Sequence, residues 1–246
     1  MTTNDHVDAP ANVTVEEVIG IAIAQFAADG YDGTKIENIS RESGMSKRMI
    51  HYHFGDKKGL YLQSLEAALD KLQPPFDQLV IDSAVPVEGM RKLVDSLFEL
   101  FMKNQDALRM IVEENSHPVI DAAEHPAIAD VSGVILHLNR LLMLGQDSGA
   151  FRPGISANDL YLLITSMTLL PVTTQNITQN LFSVDLSSPD NVRGLHRLIV
   201  DMVLAFLTSN IPDSGHQSYL EEDVSESKTD SSASIYDDGG TDDIFS

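Results

Sequence analysis

From Val15 to about residue 209 the apolar side chains recur three and four positions apart, in one segment after another, and this rhythm confines the chain to an all-α fold. Thr14-Val15-Glu16-Glu17 opens the first segment as a capping box, in which the Thr14 hydroxyl and the Glu17 carboxylate cover backbone N–H groups that the first turn leaves free. Val15, Val18, Ile19, Ala22, Ile23 and Phe26 follow at helical spacing, and Gly30 and Gly33 mark the exit. Further helices are predicted over 34–43, 46–53, 57–72, 87–103, 105–115, 125–147, 156–180 and 190–209. Pro74-Pro75 closes the fourth helix. Pro86, Pro118, Pro126, Pro153 and Pro189 fall between segments or at their starts, where a missing N–H costs nothing. Pro171 lies inside the 156–180 pattern, so a kink or break is expected there. No run reads as a strand, and no internal repeat is visible.

Charge divides the chain unevenly. The net charge is −21 over 246 residues, which on its own argues against a polyanionic partner. Residues 213–246 carry ten acids against the single base Lys228, whereas residues 34–60 carry six bases against three acids. Binding to phosphates depends on local charge, because distant charges are screened beyond roughly 10 Å at 0.1 M salt. With no cysteine in the chain, disulfides, thiol nucleophiles and cysteine-based zinc sites are excluded. No basic segment followed by an apolar run opens the sequence, so no signal peptide is expected and the cytoplasm is the expected location. The uncharged stretch Leu160 to Val184 carries Thr165, Ser166, Thr168, Gln175, Asn176, Gln179 and Asn180, too many polar groups for a bilayer core.

The most informative stretch is Thr34 to Leu60. Thr34 is placed to cap a short helix with Ile36 and Ile39 on one face. Gly44 suits a left-handed turn at its end. Met45 can plug the angle to the next helix, which Ser46 caps. Ile50 and Phe54, four apart, point inward together, leaving Lys47, Arg48, Met49, His51, Tyr52 and His53 on the other faces. Asp56 then caps a helix that opens with Lys57 and Lys58. Two short helices joined through a glycine make a wedge whose second helix can enter a major groove with its N-terminal residues at the base edges. Lysine and arginine there can reach phosphates or guanine acceptors. The start of the 57–72 helix offers free N–H groups to a further phosphate.

Taken in order, Ala22, Phe26, Gly30, Tyr31, Thr34, Ile39, Gly44, Met45, Ser46, Ile50, His53, Phe54, Lys57 and Leu60 resemble the tetracycline-repressor (TetR) family of bacterial regulators. The resemblance spans about fifty residues. It implies an all-α homodimer, with a three-helix helix-turn-helix domain at the N-terminus and a larger helical domain for ligand binding and dimerisation. It puts Lys47, Arg48, Met49 and Tyr52 at recognition positions and His51, His53 and Lys57 at backbone-contact positions. Thr34, Lys35 and Ser46 complete the candidate DNA-binding set. Three residues depart from the family pattern: His51 stands where tyrosine is usual, Glu37 where a base is common, and Ser40 where alanine is usual. The expected function is a sequence-specific DNA-binding regulator, released from its operator by a small molecule. The competing readings are a helical protein-interaction module and a small-molecule enzyme without DNA binding.

The expected division is an arm (1–12), a helix-turn-helix domain (13–60), a helical body (61–212) and a disordered acidic tail (213–246), either solubilising or competing with DNA for the basic head. In the body, Met90, Met102, Met110, Met143 and Met167 read as core or as a pliable pocket lining. Met110, Asn115, His117, His137, Arg140, Tyr161 and Thr168 are the candidate ligand contacts. The 156–180 and 190–209 helices are apolar beyond one core-facing stripe, which points to burial against a second subunit. His51 and His53 diverge by about 200° on a helix and make a poor metal pair. His117, Asp121, Glu124 and His125 are denser in possible ligands, but prolines interrupt them and exposed loop residues are the default. The adjacent Glu113 and Glu114 point to different faces. Without a catalytic constellation, no cofactor and no enzyme activity are expected.

Overall fold

The computed structural model of the chain describes residues 13–74, 85–121, 132–212, 215 and 218–220, and every regular element among them is an α-helix. These are α1 (Val15–Gly33), α2 (Ile36–Ser43), α3 (Lys47–Phe54), α4 (Lys57–Lys71), α5 (Pro86–Lys103), α6 (Gln105–Ser116), α7 (Ser132–Asp147), α8 (Ala157–Phe182) and α9 (Pro189–Thr208). The capping box at Thr14 forms as expected, with both reciprocal bonds in place. The expected start of α7 at 125, the N-terminal arm, and the tail beyond Leu220 lie outside the described residues.

One buried cluster runs through the whole fold, from Val18 on α1 to Leu207 on α9. Helix α1 packs on α4 and α6, and α4 also packs on α6, so the small N-terminal unit is seated on the body through these three helices. Helix α5 packs on α7 and α9, and α8 packs on α6, α7 and α9. Phe26 and Tyr31 of α1 meet Tyr61 of α4 edge to face, with ring centroids 4.8 and 5.1 Å apart. Such pairs add about 0.5–1.5 kcal/mol beyond area burial.

Three expectations are corrected. Thr34 does not cap α2. Its side chain is buried and its hydroxyl donates to the Gly30 carbonyl at 2.7 Å and the Gln25 carbonyl at 3.1 Å, closing α1 where Gly30 leaves the helical conformation at φ 69. Lys35 takes the cap position of α2 without a side-chain bond. Pro171 does not break α8, which continues to Phe182. Proline removes one ladder bond there, and its buried ring adds apolar contact in exchange. The segment after 213 is not wholly free of the body either. Tyr219 and Leu220 donate backbone N–H groups to the Asp159 carboxylate at 3.0–3.1 Å, Ser218 donates its hydroxyl to it, and Arg152 donates to the Tyr219 hydroxyl at 2.8 Å.

Helix α8 outruns the core. Pro171 is its last buried residue, and Ile177, Leu181 and Phe182 beyond it are exposed, the last two at 70%. Leu162 and Leu170 of α8 and Leu198 and Met202 of α9 are exposed as well. No helix among the described residues is long and apolar enough to cross a membrane.

Candidate nucleic-acid interface

Gly44 ends α2 in the left-handed conformation, φ 78, and its N–H donates to the Ser40 carbonyl. The Ser40 hydroxyl then donates to the Met45 carbonyl at 2.7 Å, which fastens the turn and gives this departure from alanine a structural role. Met45 is buried in the angle between the helices. Ser46 caps α3 by accepting from the Met49 N–H at 3.3 Å. Ile50 and Phe54 are buried and hold α3 from below. Asp56 caps α4 by accepting from the Gly59 N–H at 2.8 Å. Only glycine fits at 59, because a Cβ there would stand 2.1 Å from the Phe54 carbonyl oxygen. This close approach is what sets α4 against the end of α3.

Lys35, Ser46, Lys47, Arg48, Met49, His51, Tyr52 and His53 are all exposed, with Tyr52 at 78%. Thr34 is the exception, turned inward as described. Lys47 donates to Glu37 at 2.6 Å. Lys57, at the start of α4, sits 4.5 Å above the Tyr31 ring and 3.4 Å from the Asp32 carbonyl. His51 Nδ1 lies 2.8 Å from the Gly55 carbonyl. A carbonyl only accepts, so Nδ1 carries the hydrogen and Nε2 is the atom turned outward. The surface is therefore cationic and amphipathic, mounted on a helix fixed at both ends by caps and from below by two apolar anchors.

The seven candidate ligand contacts are spread over α6, α7 and α8. Met110 is a core residue. Thr168 is buried, and its hydroxyl donates to Ile164 within its own helix. His137 Nδ1 meets the Gly133 carbonyl at 2.9 Å. Asn115 and Arg140 are exposed. Tyr161 is half-buried, and burial pushes its phenol above the ordinary value. His117 caps the end of α6, pairs with Glu113 at 3.1 Å, and lines a cavity of about 640 Å³ together with Asp29, Tyr31, Asp32 and Val119. Of the group considered for metal binding, Glu124 and His125 lie outside the described residues.

Sequence reading missed the junction beside this cavity. Glu114 accepts from the Tyr61 hydroxyl of α4 at 2.7 Å and from the Val119 and Ile120 N–H groups at 2.9–3.2 Å. Burial, and then the hydrogen bond and charge of Glu114, push the Tyr61 phenol far up. Glu113 points the other way and covers Gly30, where a Cβ would meet its Oε1 at 2.8 Å. The divergence of the two carboxylates was legible from their adjacency. Their partners, far away in sequence, were not.

Two family models match the chain. The tetR family of bacterial regulatory proteins matches residues 18–63, and the tetracyclin repressor-like C-terminal domain matches residues 86–203. Among curated proteins, the chain is 26% identical over 195 residues to the HTH-type transcriptional repressor NicS of Pseudomonas putida, covering 79% of this chain and 92% of that one. Among solved structures, the fold matches the transcriptional regulator FadR of Bacillus subtilis, in complex with stearoyl-CoA, at a TM-score of 0.59 and 15% identity, over 79% of this chain and all of that one. It also matches the TetR family regulator PfmR of Thermus thermophilus at a TM-score of 0.54 and 21% identity, over 76% of this chain and 96% of that one. With its turn glycine, capped α3 and C-terminal helical body all accounted for, the chain belongs to the tetR family of bacterial regulatory proteins.

Proposed function

We propose that this chain is a homodimeric transcriptional repressor that grips a roughly palindromic operator with its two α3 helices and lets go when a small molecule binds the helical body. Residues 13–60 serve as the DNA-binding head and 61–212 as the ligand-binding and dimerising body. The observation that carries the reading is the two-sidedness of α3, with Ile50 and Phe54 locked into the core and every other side chain from Lys47 to His53 open to solvent. An eight-residue helix that exposes Met49 and Tyr52 beside two cations suits a groove better than bulk water. Lys47, Arg48, Met49 and Tyr52 meet base edges, while Lys35, Ser46, His51, His53 and Lys57 meet the backbone. Thr34 contributes through the turn it closes. The repressor name of the relative NicS supports the sign of regulation.

The exposed apolar residues of α8 and α9 support a second copy of the chain as their cover. A two-fold protein then reads two half-sites on successive major-groove turns. The protein acts by binding in the cytoplasm, without chemistry of its own. Ligand binding in the body is transmitted through α4, whose first residues belong to the head, because the Glu114 carboxylate joins Tyr61 on α4 to the backbone leaving α6. A coupling of about 1–3 kcal/mol changes operator affinity roughly 5- to 150-fold.

The test is a titration of DNA fragments selected by the pure protein, with wild type and the double variant Lys47→Ala, Arg48→Ala. Loss of two contacts per head, four per dimer, each worth about 1 kcal/mol or more, is expected to weaken dimer binding by about 700-fold or more. Unchanged affinity refutes the assignment.

A further inference from the structure

The ion pair between Glu37 and Lys47 crosses the helix-turn-helix. It spans ten residues of sequence at 2.6 Å, and both side chains are about half exposed, 56% and 51%. Glu37 is the second residue of α2 and Lys47 the first of α3, so the pair links the N-terminal turns of the two helices and is open to solvent there. The hydrogen bond from Lys47, then a backbone N–H and the Lys47 charge, hold the Glu37 carboxyl below the usual carboxylate range, so it is an anion wherever DNA binding is measured. Neighbouring Arg48 is exposed and makes no hydrogen bond or ion pair among the described residues.

A lysine whose charge is already compensated is a poor phosphate ligand, and a carboxylate near a duplex is repelled by every phosphate. The arrangement is nevertheless complementary to one feature of the major groove. Guanine presents O6 and N7 acceptors there, and the cytosine paired with it presents its N4 amino donor. O6 and N4 are hydrogen-bonded to each other, so they stand about 2.9 Å apart. An ammonium and a carboxylate 2.6 Å apart offer donor beside acceptor at nearly that spacing. An A·T pair also sets an amino group beside an acceptor, but its thymine O4 is a single acceptor crowded by the methyl group, where guanine offers two.

We propose that Glu37 and Lys47 read one G·C base pair in each half-site as a unit, Lys47 donating to guanine and Glu37 accepting from the cytosine amino group, and that Glu37 disfavours all other DNA. This rests on the reading of α3 as the DNA-contacting helix. It makes Glu37, an acid in a basic head, a specificity determinant.

The test uses the full chain and the DNA fragments it selects from a random pool. Each position of the selected half-site is replaced in turn, at several salt concentrations, for wild type and for Glu37→Gln. Wild type is expected to lose roughly 5- to 150-fold when one G·C position becomes A·T. In Glu37→Gln that loss shrinks at this position alone, and affinity for generic DNA rises. The slope of log affinity against log salt also steepens by about 0.9 for each head, as Lys47 becomes free for a phosphate. The thermal midpoint of Glu37→Gln is expected to match wild type, because the pair is exposed. An unaltered position profile overturns the proposal even if the slope steepens, since Glu37 is then only a charge on the head. The double variant with Lys47→Met is expected to lose no more discrimination at that position than Lys47→Met alone, and additive losses overturn the joint reading. A wild type that selects no sequence at all refutes the functional assignment instead.

Discussion

Replacing Tyr61 by phenylalanine removes one oxygen atom from a fully buried side chain and leaves its ring in place. The edge-to-face contacts with Phe26 and Tyr31 persist, so no cavity opens. Glu114 keeps the Val119 and Ile120 N–H groups as donors. What is lost is a single bond of 2.7 Å to a charged acceptor, worth about 1.5–3 kcal/mol. For a chain of this size the thermal midpoint is expected to fall by roughly 3–12 °C. Urea unfolding followed by circular dichroism gives the free energy, and calorimetry gives the midpoint. Glu114→Gln and the double variant complete a cycle in which the combined loss is expected to be smaller than the sum, because both substitutions damage the same bond. A Tyr61→Phe protein within about 0.3 kcal/mol of wild type, or strictly additive losses, would refute the claim that this bond holds α4 against the end of α6.

Tyr61 also predicts an alkaline limit. The unfolded chain ionises this phenol near its ordinary value of 10.0, while burial and then Glu114 resist ionisation in the fold. Its contribution is therefore complete below pH 10 and lost as pH rises above it, and Tyr61→Phe is expected to flatten the alkaline limb of a midpoint-versus-pH curve. Gly59→Ala drives a Cβ into the Phe54 carbonyl and is expected to cost more than about 2 kcal/mol by chemical denaturation, with operator binding lost. A stable variant that still binds DNA would contradict the packing of α4 on α3. Burial alone would raise the Asp159 carboxyl, but hydrogen bonds from Ser156, Tyr219 and Ser218 hold it below its usual value. That stabilisation is present above about pH 4 and lost as pH falls further. Asp159→Asn is accordingly expected to speed chymotrypsin cleavage after Tyr219 at neutral pH, and an unchanged digestion rate would argue against the docked segment.

Periodicity and capping chemistry are local, and they located the helices well. Thr14 and Ser46 cap where their spacing places them, and Gly44 turns where only a residue tolerant of positive φ fits. The two-sided pattern of Lys47 to Phe54 was likewise readable, because burial on an eight-residue helix follows directly from residue order. Thr34 misled for a local reason. A threonine before a helix can cap the next turn or close the previous one, and the excursion of Gly30 to φ 69 decided for the latter. Long-range polar pairs left no such trace. Tyr61 and Glu114 lie 53 residues apart, Asp159 and Tyr219 60 apart, and His196 and Asp95 101 apart. Each partner is an ordinary residue in its own segment and takes on a role only when the fold brings the two together. A ligand site is hard to read from sequence for a related reason, since a pocket wall gathers single residues from several helices with no spacing rule to connect them.

The outer portion of α8, from Val172 to Phe182, has no buried residue of its own. This portion is held by its continuity with the buried half of α8, and a cover over Ile177, Leu181 and Phe182 would add to its order. If the cover is a twin chain, association and the ordering of this helix end become linked equilibria, and diluting the protein loosens the helix end as well as separating the subunits. The number of copies in a cell then sets how firmly each copy is built, and not merely how many sites on the chromosome are filled.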